Sequence, residues 1–275
     1  MILGALLKRK LAVLGLIVIA LFALAAILAP WVAPYDPTLS PVIAESPPSA
    51  QFWLGTDLLG RDLLSRMIHG ARATLLVGIL ANGIALAIGA TIGITAGYLR
   101  GWVGDALMRF TDLMSAFPAL LLAILLAAMF DPSLWIVVIV IALVSWVQVA
   151  RVVYAETVSL AERDYVVAVR AIGAGTPRIL IRHVLPHLLP ILIVWGTLGI
   201  ATTSLFEAML SYLGMGVQPP TPSWGNMVNE NQTYFESAPW LVFFPGLAIG
   251  LLALSFNLVG DALRDILDPT LRGRH

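Results

Sequence analysis

Long uncharged runs of apolar residues recur along this chain at six places. A helix needs roughly 20 apolar residues to cross a hydrocarbon core about 30 Å thick, so each run predicts one membrane-spanning helix. The runs are 11–29, 73–99, 113–130, 132–150, 183–206 and 237–260. Only Asp131 separates the third run from the fourth, and Pro132 beside it indicates a tight turn between two helices. The pattern therefore predicts an all-α membrane protein with six spans.

The composition agrees with this prediction. Of the 275 residues, 59% are hydrophobic and 12% are charged, whereas a soluble domain is about a quarter charged. The formal net charge is zero, so the distribution of charges along the chain is more informative than their sum. The chain has no cysteine, which excludes disulfides, thiolate metal sites and a cysteine nucleophile.

The basic residues predict the orientation of the spans. Placing Lys8, Arg9 and Lys10 inside leaves only Arg61, Arg66 and Arg72, of 16 basic residues, in outside segments. Both termini are therefore expected to be cytoplasmic. The first run follows a basic start, as in a cleaved signal peptide, but its 19 residues exceed the usual apolar core of such peptides. We expect a retained helix, and its loss would leave five spans.

Two regions are expected along the chain. Residues 1–72 would hold the first span, a proline-rich outside stretch and a short helix lying in the membrane interface. That helix is predicted from an apolar face and a polar face: Leu63, Leu64, Met67 and Ile68 against Asp62, Ser65, Arg66 and His69. Residues 73–275 would form a core of five spans with a cytoplasmic loop over 151–185. The glycines of GTDLLGRD lack a following Gly-Lys-Ser/Thr, which excludes a Walker-type phosphate loop.

Several residues inside the predicted spans are candidates for a packing or functional role. Gly89, Gly93 and Gly97 repeat every four residues and share one helix face, where a second helix can approach closely. Glu207 follows a long uncharged run near the predicted outer boundary. An acid at that depth suggests a functional role by default, while headgroup water at the boundary favours a structural or gate-packing one, and both interpretations stay open.

No pattern indicates catalysis or metal binding. His183 and His187 are four residues apart, but no third ligand lies nearby in sequence, so we interpret them as interfacial polar residues. A nucleophile motif, a zincin pattern and paired carboxylates are all missing from the sequence, and we do not expect an enzyme.

The longest predicted inside connection carries the stretch RDYVVAVRAIGAGTPRILIRHVLP, 163–186. Asp164 favours the first turn of a helix, and Gly173, Gly175 and Pro177 stop it, so a helix is predicted over 164–174. Tyr165, Ala168 and Ile172 would share a face that a soluble partner can bury. Alternatively, the helix would rest on lipid headgroups.

This stretch resembles the EAA loop of ATP-binding cassette importer permeases. That pattern runs Glu-Ala-Ala, three residues, Gly, nine residues, Ile, one residue, Leu-Pro. Here Ala168, Gly173 and Leu185-Pro186 match it, while Val167, Val169 and His183 depart from it. The resemblance implies a coupling helix over 164–176 that docks on an ATPase subunit. The residues it implicates are Asp164, Tyr165, Val167, Ala168, Arg170, Ala171, Gly173, Ala174, Leu185 and Pro186.

Three further stretches, 54–72, 207–227 and 256–269, resemble the C-type subunit of dipeptide, oligopeptide and nickel permeases. The resemblance implies a type I importer permease fold and a translocation path shared with a homologous permease subunit. It also implies two ATPase subunits that carry ATP and Mg, an extracytoplasmic binding protein, a location in the cell membrane, and no cofactor in this chain. Candidates for the gate or for contact with the outer partner are Glu207, Ser211, Gly214, Pro220 and Trp224. The expected substrate is a peptide, with nickel or another small solute as the alternative.

Two other classes of membrane protein compete with the importer subunit. A secondary transporter or channel would carry ionisable groups within the spans and, often, internal repeats, neither of which is clear in this sequence. A membrane-embedded enzyme would need a catalytic constellation. Membrane lipid is an expected partner of the chain. A nucleic-acid partner is not expected. Co-purification with an ATPase distinguishes the importer subunit from the others.

Overall fold

The computed structural model describes residues 2–40 and 45–267. In that part of the chain the structure is helical, and its one β feature is an isolated bridge between Thr56 and Asp62. In chain order, the helices are α1 (Ile2–Leu6), α2 (Lys10–Ile27), α3 (Ala29–Val32), α4 (Leu63–Leu99), α5 (Gly101–Ser115), α6 (Ala119–Ala128), α7 (Leu134–Ala161), α8 (Asp164–Ala171), α9 (Thr176–Ile179), α10 (Leu185–Tyr212), α11 (Trp224–Asn231) and α12 (Trp240–Leu267). A π-helical segment, Leu180–Val184, joins α9 to α10.

Five stretches of helix in the described ranges are long and apolar enough to cross a membrane. They are Lys10–Val32, Leu63–Leu99, Leu134–Ala161, Thr176–Tyr212 and Trp240–Leu267. These stretches correspond to the first, second, fourth, fifth and sixth predicted spans. The structure thus confirms an all-α protein built from membrane-crossing helices.

The third predicted span, 113–130, is wrong as a single helix. α5 ends at Ser115, α6 begins at Ala119, and the two are bent by 83° relative to each other. Pro118 lies at the break, where it restricts the residue before it to non-helical conformations and supplies no amide hydrogen. The ten residues of α6 reach about 15 Å, which is half of the hydrocarbon core. Counting the bent pair as one broken span gives six.

The separate interfacial helix predicted before the second span is also wrong. Residues from Leu63 onward form the first turns of α4, which continues for 37 residues. Asp62 caps α4, since its carboxylate accepts the Ser65 amide hydrogen at 2.8 Å. The predicted polar face does not lie toward headgroups, because Asp62, Ser65 and Arg66 are all buried. Other segments of the protein cover this face.

The centre of the bundle is the contact between α4 and α7. A side-chain carbon at Gly89 would lie 2.6 Å from the Trp146 carbonyl oxygen, and one at Gly93 would lie 2.6 Å from the Ala150 carbonyl oxygen. At Gly97 the nearest atom, Cβ of Thr157, would lie at 2.8 Å. The two backbones therefore approach at all three glycines, which only residues without side chains permit.

The ends of several helices meet on one face of the bundle. Arg9, just before α2, forms an ion pair with Asp265 near the end of α12. Arg264, beside Asp265, lines the same cavity as Arg163 at the start of α8. The N-terminal segment, the end of α12 and α8 therefore share one face, which we call the α8 face. That it is the cytoplasmic face remains a prediction from the charge distribution.

Candidate functional site

The sequence predicted a helix over 164–174, and the family resemblance implied a coupling helix over 164–176. The helix is shorter than both in the structure. α8 begins with Asp164 in its first turn and ends at Ala171. Gly173 has φ of 85°, a conformation that favours glycine, and turns the chain away from the helix axis. The amide of Gly173 donates to the carbonyl of Arg170 at 3.0 Å, and that of Ala174 to the carbonyl of Val169 at 3.3 Å. These bonds satisfy the last carbonyls of the helix.

One side of α8 rests on the bundle. Val166 is fully buried, and Val169 packs against the same apolar cluster. The Tyr165 ring stacks on His187 with centroids 5.1 Å apart, and its hydroxyl donates to the His183 carbonyl at 3.4 Å. Of the three residues predicted to share a partner-binding face, Ala168 and Ile172 are exposed and Tyr165 is partly buried. The chain returning through the π-helical segment covers the Tyr165 side.

The opposite side of α8 is apolar and exposed. Val167 is 49% exposed and Ile172 is 84% exposed, and Ala168 and Ala171 lie between them. We call these four residues the α8 patch. Leaving side chains of this size in water forfeits roughly 1.5–3 kcal/mol per large aliphatic residue, so such a patch is typical of a surface that a partner covers.

Arg170 joins α8 to α4, and a second arginine joins the ends of α4 and α7 just before α8 begins. The Arg170 guanidinium carbon lies 5.0 Å from the centroid of the Tyr98 ring near the end of α4. Before the helix, Arg100 forms an ion pair with Glu162 at 2.9 Å and donates to the carbonyl of Val158 at 3.0 Å. A displacement of α8 would therefore pull on the end of α4 through Arg170, and on the end of α7 through the short chain link between α7 and α8.

The remaining predicted coupling residues connect α8 to α10. α9 begins at Thr176 with Pro177 in its first positions. Leu185 is half-buried in the cluster that also packs Val166, whereas Pro186 is exposed at the start of α10. α8 thus has a short, packed connection to a helix that crosses the bundle.

The opposite face of the bundle carries the predicted gate and outer-partner candidates. Glu207 is fully buried, so the expectation that its carboxylate reaches headgroup water is wrong. The Ser211 hydroxyl donates to Glu207 Oε1 at 2.7 Å, and Thr74 and Ser223 border the same carboxyl group. Because Thr74 lies on α4 and Ser223 caps α11, Glu207 lies where three helices meet.

The other candidates on this face divide into buried and exposed groups. The Trp224 side chain is buried, and its indole nitrogen donates to the Met67 carbonyl at 2.9 Å. Gly214, with φ of 79°, ends α10 in the same way that Gly173 ends α8. Gly214 and Pro220 are both exposed. Only these two remain accessible to an outer partner.

Sequence reasoning missed a buried network of ion pairs on this face, which we call the outer ion cluster. It consists of Asp57, Arg61, Arg66 and Glu230. Arg66 Nη1 lies 2.5 Å from Asp57 Oδ2 and Arg66 Nη2 lies 2.7 Å from Glu230 Oε2. Arg61 contacts the same two oxygens at 2.7 and 3.2 Å. The available signal was that two of the three arginines in outside segments lie five residues apart.

Burial dominates the electrostatics of this cluster. The Arg66 side chain is 2% exposed, and the Asp57 side chain is equally buried. Burial raises the pKa of the Glu230 carboxyl above its usual value, and the charge of Arg61 opposes that rise. The cluster fastens α11 and the segment before α4 to each other.

No grouping of three or more histidine, cysteine, aspartate or glutamate side chains that would hold a metal ion occurs within the described ranges. His187 is engaged with Tyr165, and its Nδ1 lies 3.0 Å from the backbone oxygen of His183.

Two protein-family models, both of transport permeases, match this chain. Residues 89–273 match the family model described as binding-protein-dependent transport system inner membrane component. Residues 1–60 match the N-terminal transmembrane domain of oligopeptide transport permease C.

Two relatives are similar over nearly the whole chain. The dipeptide transport system permease protein of Alkalihalophilus pseudofirmus is 43% identical over 96% of this chain and 88% of its own length. The di/tripeptide transport system permease protein of Pseudomonas aeruginosa is 46% identical over 94% of this chain and 88% of its own. A chain of the MetNI methionine ABC transporter in an inward-facing conformation has a TM-score of 0.62 at 16% identity, over 75% of this chain and 98% of that one. That last likeness shows the fold alone, which is the type I importer permease fold.

Proposed function

Because the chain belongs to the family of inner membrane components of binding-protein-dependent transport systems, we propose that it forms half of the translocation pathway of an ATP-driven peptide importer. The family is one of transport permeases and not of enzymes. The observation that carries the peptide assignment is the high identity, over almost the full chain, to two permeases named for dipeptides and tripeptides. These names favour peptides over nickel, and the family favours an importer subunit over a secondary transporter.

We expect three kinds of partner for this chain in the proposed importer. A homologous permease subunit would complete the pathway, two ATPase subunits carrying ATP and Mg would bind on the α8 face, and an extracytoplasmic binding protein would deliver peptide to the opposite face. The α8 patch supports the second of these, since it is an exposed apolar surface on a helix that packs on the bundle. Gly214 and Pro220 are the exposed candidates for the third.

The proposed mechanism couples ATPase closure to the pathway through α8. Closure would shift α8 as a rigid body, because Val166 and Tyr165 anchor it and the turn at Gly173 fixes its end. The shift would pass to α4 through Arg170, to α7 through the short chain link before α8, and to α10 through the short connection after α9. Such coupling requires two arrangements of the bundle that bind the ATPase states with different affinity.

Uptake by the reconstituted importer tests this function. Proteoliposomes holding both permease subunits and the ATPases would be given the binding protein and a radiolabelled dipeptide, with ATP inside the vesicles. We expect accumulation that requires ATP and that excess unlabelled dipeptide suppresses. Accumulation of Ni²⁺ without any dipeptide uptake would overturn the peptide assignment, and dipeptide uptake without ATPase subunits would overturn the importer assignment.

A further inference from the structure

A groove lies on the α8 face beside the coupling elements, and it shares Pro186 and His187 with them. It lies between α7, α10 and α12 and encloses about 720 Å³. Its walls are mostly apolar and include Leu160 on α7 and Pro190, Ile191, Val194 and Leu198 on α10. The lining ends at Arg163, His187 and Arg264.

The length of the groove matches one leaflet of a bilayer. The lining follows α10 from Pro186 to Leu198, a distance of about 18 Å at 1.5 Å per residue. Half of a hydrocarbon core is about 15 Å thick. The groove therefore spans the depth of one leaflet, from the boundary marked by the arginines to the middle of the bundle.

Two arginines lie at the boundary end of the groove. Arg163 and Arg264 are exposed, and neither has an ion-pair partner in the part of the chain that the structure describes. One acid, Glu156, lines the groove with them. Both arginines line the same cavity, and a guanidinium group donates well to phosphate oxygens.

We propose that this groove binds an anionic phospholipid of the leaflet on the α8 face. Its phosphate lies between Arg163 and Arg264, and an acyl chain runs along the apolar wall formed by Pro190, Ile191 and Val194. A peptide or a protein segment fits less well, since its backbone polar groups would face a wall that offers few hydrogen-bond partners.

Lipid retention by the purified importer tests the headgroup contact. The complex would be extracted in a mild detergent, stripped of lipid and titrated with phosphatidylglycerol or, separately, phosphatidylcholine with the same acyl chains, and native mass spectrometry would count the bound molecules. In the Arg163→Gln/Arg264→Gln variant we expect phosphatidylglycerol binding to weaken about tenfold or more, because each arginine near a phosphate contributes to attraction. The matched variant Arg178→Gln/Arg182→Gln removes the same charge outside the groove and should retain wild-type binding.

A second variant tests the apolar wall. Ile191→Trp fills the groove without changing any charge, and we expect it to lose phosphatidylglycerol while the complex stays monodisperse in gel filtration. Equal losses in the two arginine variants would mean that the lipid is attracted by the general surface charge and not by this groove. That result would overturn the proposal. Displacement of the bound lipid by a dipeptide would also overturn it, because it would assign the groove to the transported substrate. Glycerol phosphate, which has the headgroup charge but no chain, should displace nothing.

Discussion

The two faces of this bundle use their polar and apolar residues in opposite ways. On the α8 face, an apolar patch is exposed and the ion pairs near it, such as Arg100 with Glu162, lie at the surface. On the opposite face, the outer ion cluster and Glu207 are buried and connect α4, α10 and α11 to one another. The difference indicates that the α8 face is built to bind a partner, and that the opposite face is built to hold its own segments together.

Removing Arg66 should have the largest effect on stability, because Arg66 forms ion pairs with both carboxylates of the outer ion cluster. In Arg66→Ala, the buried carboxylate of Asp57 and the partly buried carboxylate of Glu230 are left with one arginine between them. Breaking a buried ion pair in this way costs about 3–5 kcal/mol. We expect a large drop in the unfolding temperature of the purified protein. Arg72→Ala, on an exposed position of the same helix, should stay within about 0.5 kcal/mol of wild type, and equal stability of the two variants would contradict the assigned role.

The next largest effect on stability is expected at the contact between α4 and α7. In Gly93→Ala the added carbon would lie 2.6 Å from the Ala150 carbonyl and 2.9 Å from the Tyr154 amide nitrogen, so the backbones must separate. We expect destabilisation of about 1–3 kcal/mol, measured by chemical denaturation in detergent. Gly83→Ala is the matched control, since nothing lies within 4 Å of its added carbon. That control should be neutral or slightly stabilising, and a similar loss in both variants would show that close approach is not the cause.

A charge in the α8 patch should affect binding without affecting the fold. Ala168 is exposed, so Ala168→Glu is expected to leave the unfolding temperature unchanged. If an ATPase subunit covers this patch, the buried carboxylate should weaken their association by at least about tenfold and abolish uptake. Affinity capture of the ATPase subunits on the immobilised permease measures the first effect. Ala168→Ser should bind like wild type, and undiminished association of the glutamate variant would place the ATPase elsewhere.

The smallest expected effect is at the cation–π contact that anchors α8. Arg170→Gln removes the charge above the Tyr98 ring, a contact that contributes about 0.5–1 kcal/mol at an exposed site. We expect the amides of α8 to exchange with deuterium about threefold faster, while those of α11 do not change. Uptake should fall only modestly, since Val166 still anchors the helix. Faster exchange throughout the bundle would instead mean that Arg170 stabilises the whole fold.

Local sequence signals predicted the helices well and their interruptions less well. Gly173 ends α8 because a left-handed residue is needed there, and that requirement is visible in the sequence. The proline that breaks the third span is equally visible, but whether Pro118 only kinks a helix or bends it by 83° depends on the helices packed around it. The span predicted over 113–130 therefore joined the last residues of α5 to α6.

The sequence by itself determined the class of this protein and the number of its apolar segments. These properties follow from runs of apolar residues and from backbone preferences, which act over a few residues at a time. Only the tertiary structure decided that Arg66 and Glu207 are buried. Arg66 meets Glu230 from a helix 164 positions further along the chain, and the water around a polar side chain can be displaced only by neighbours that the fold brings together.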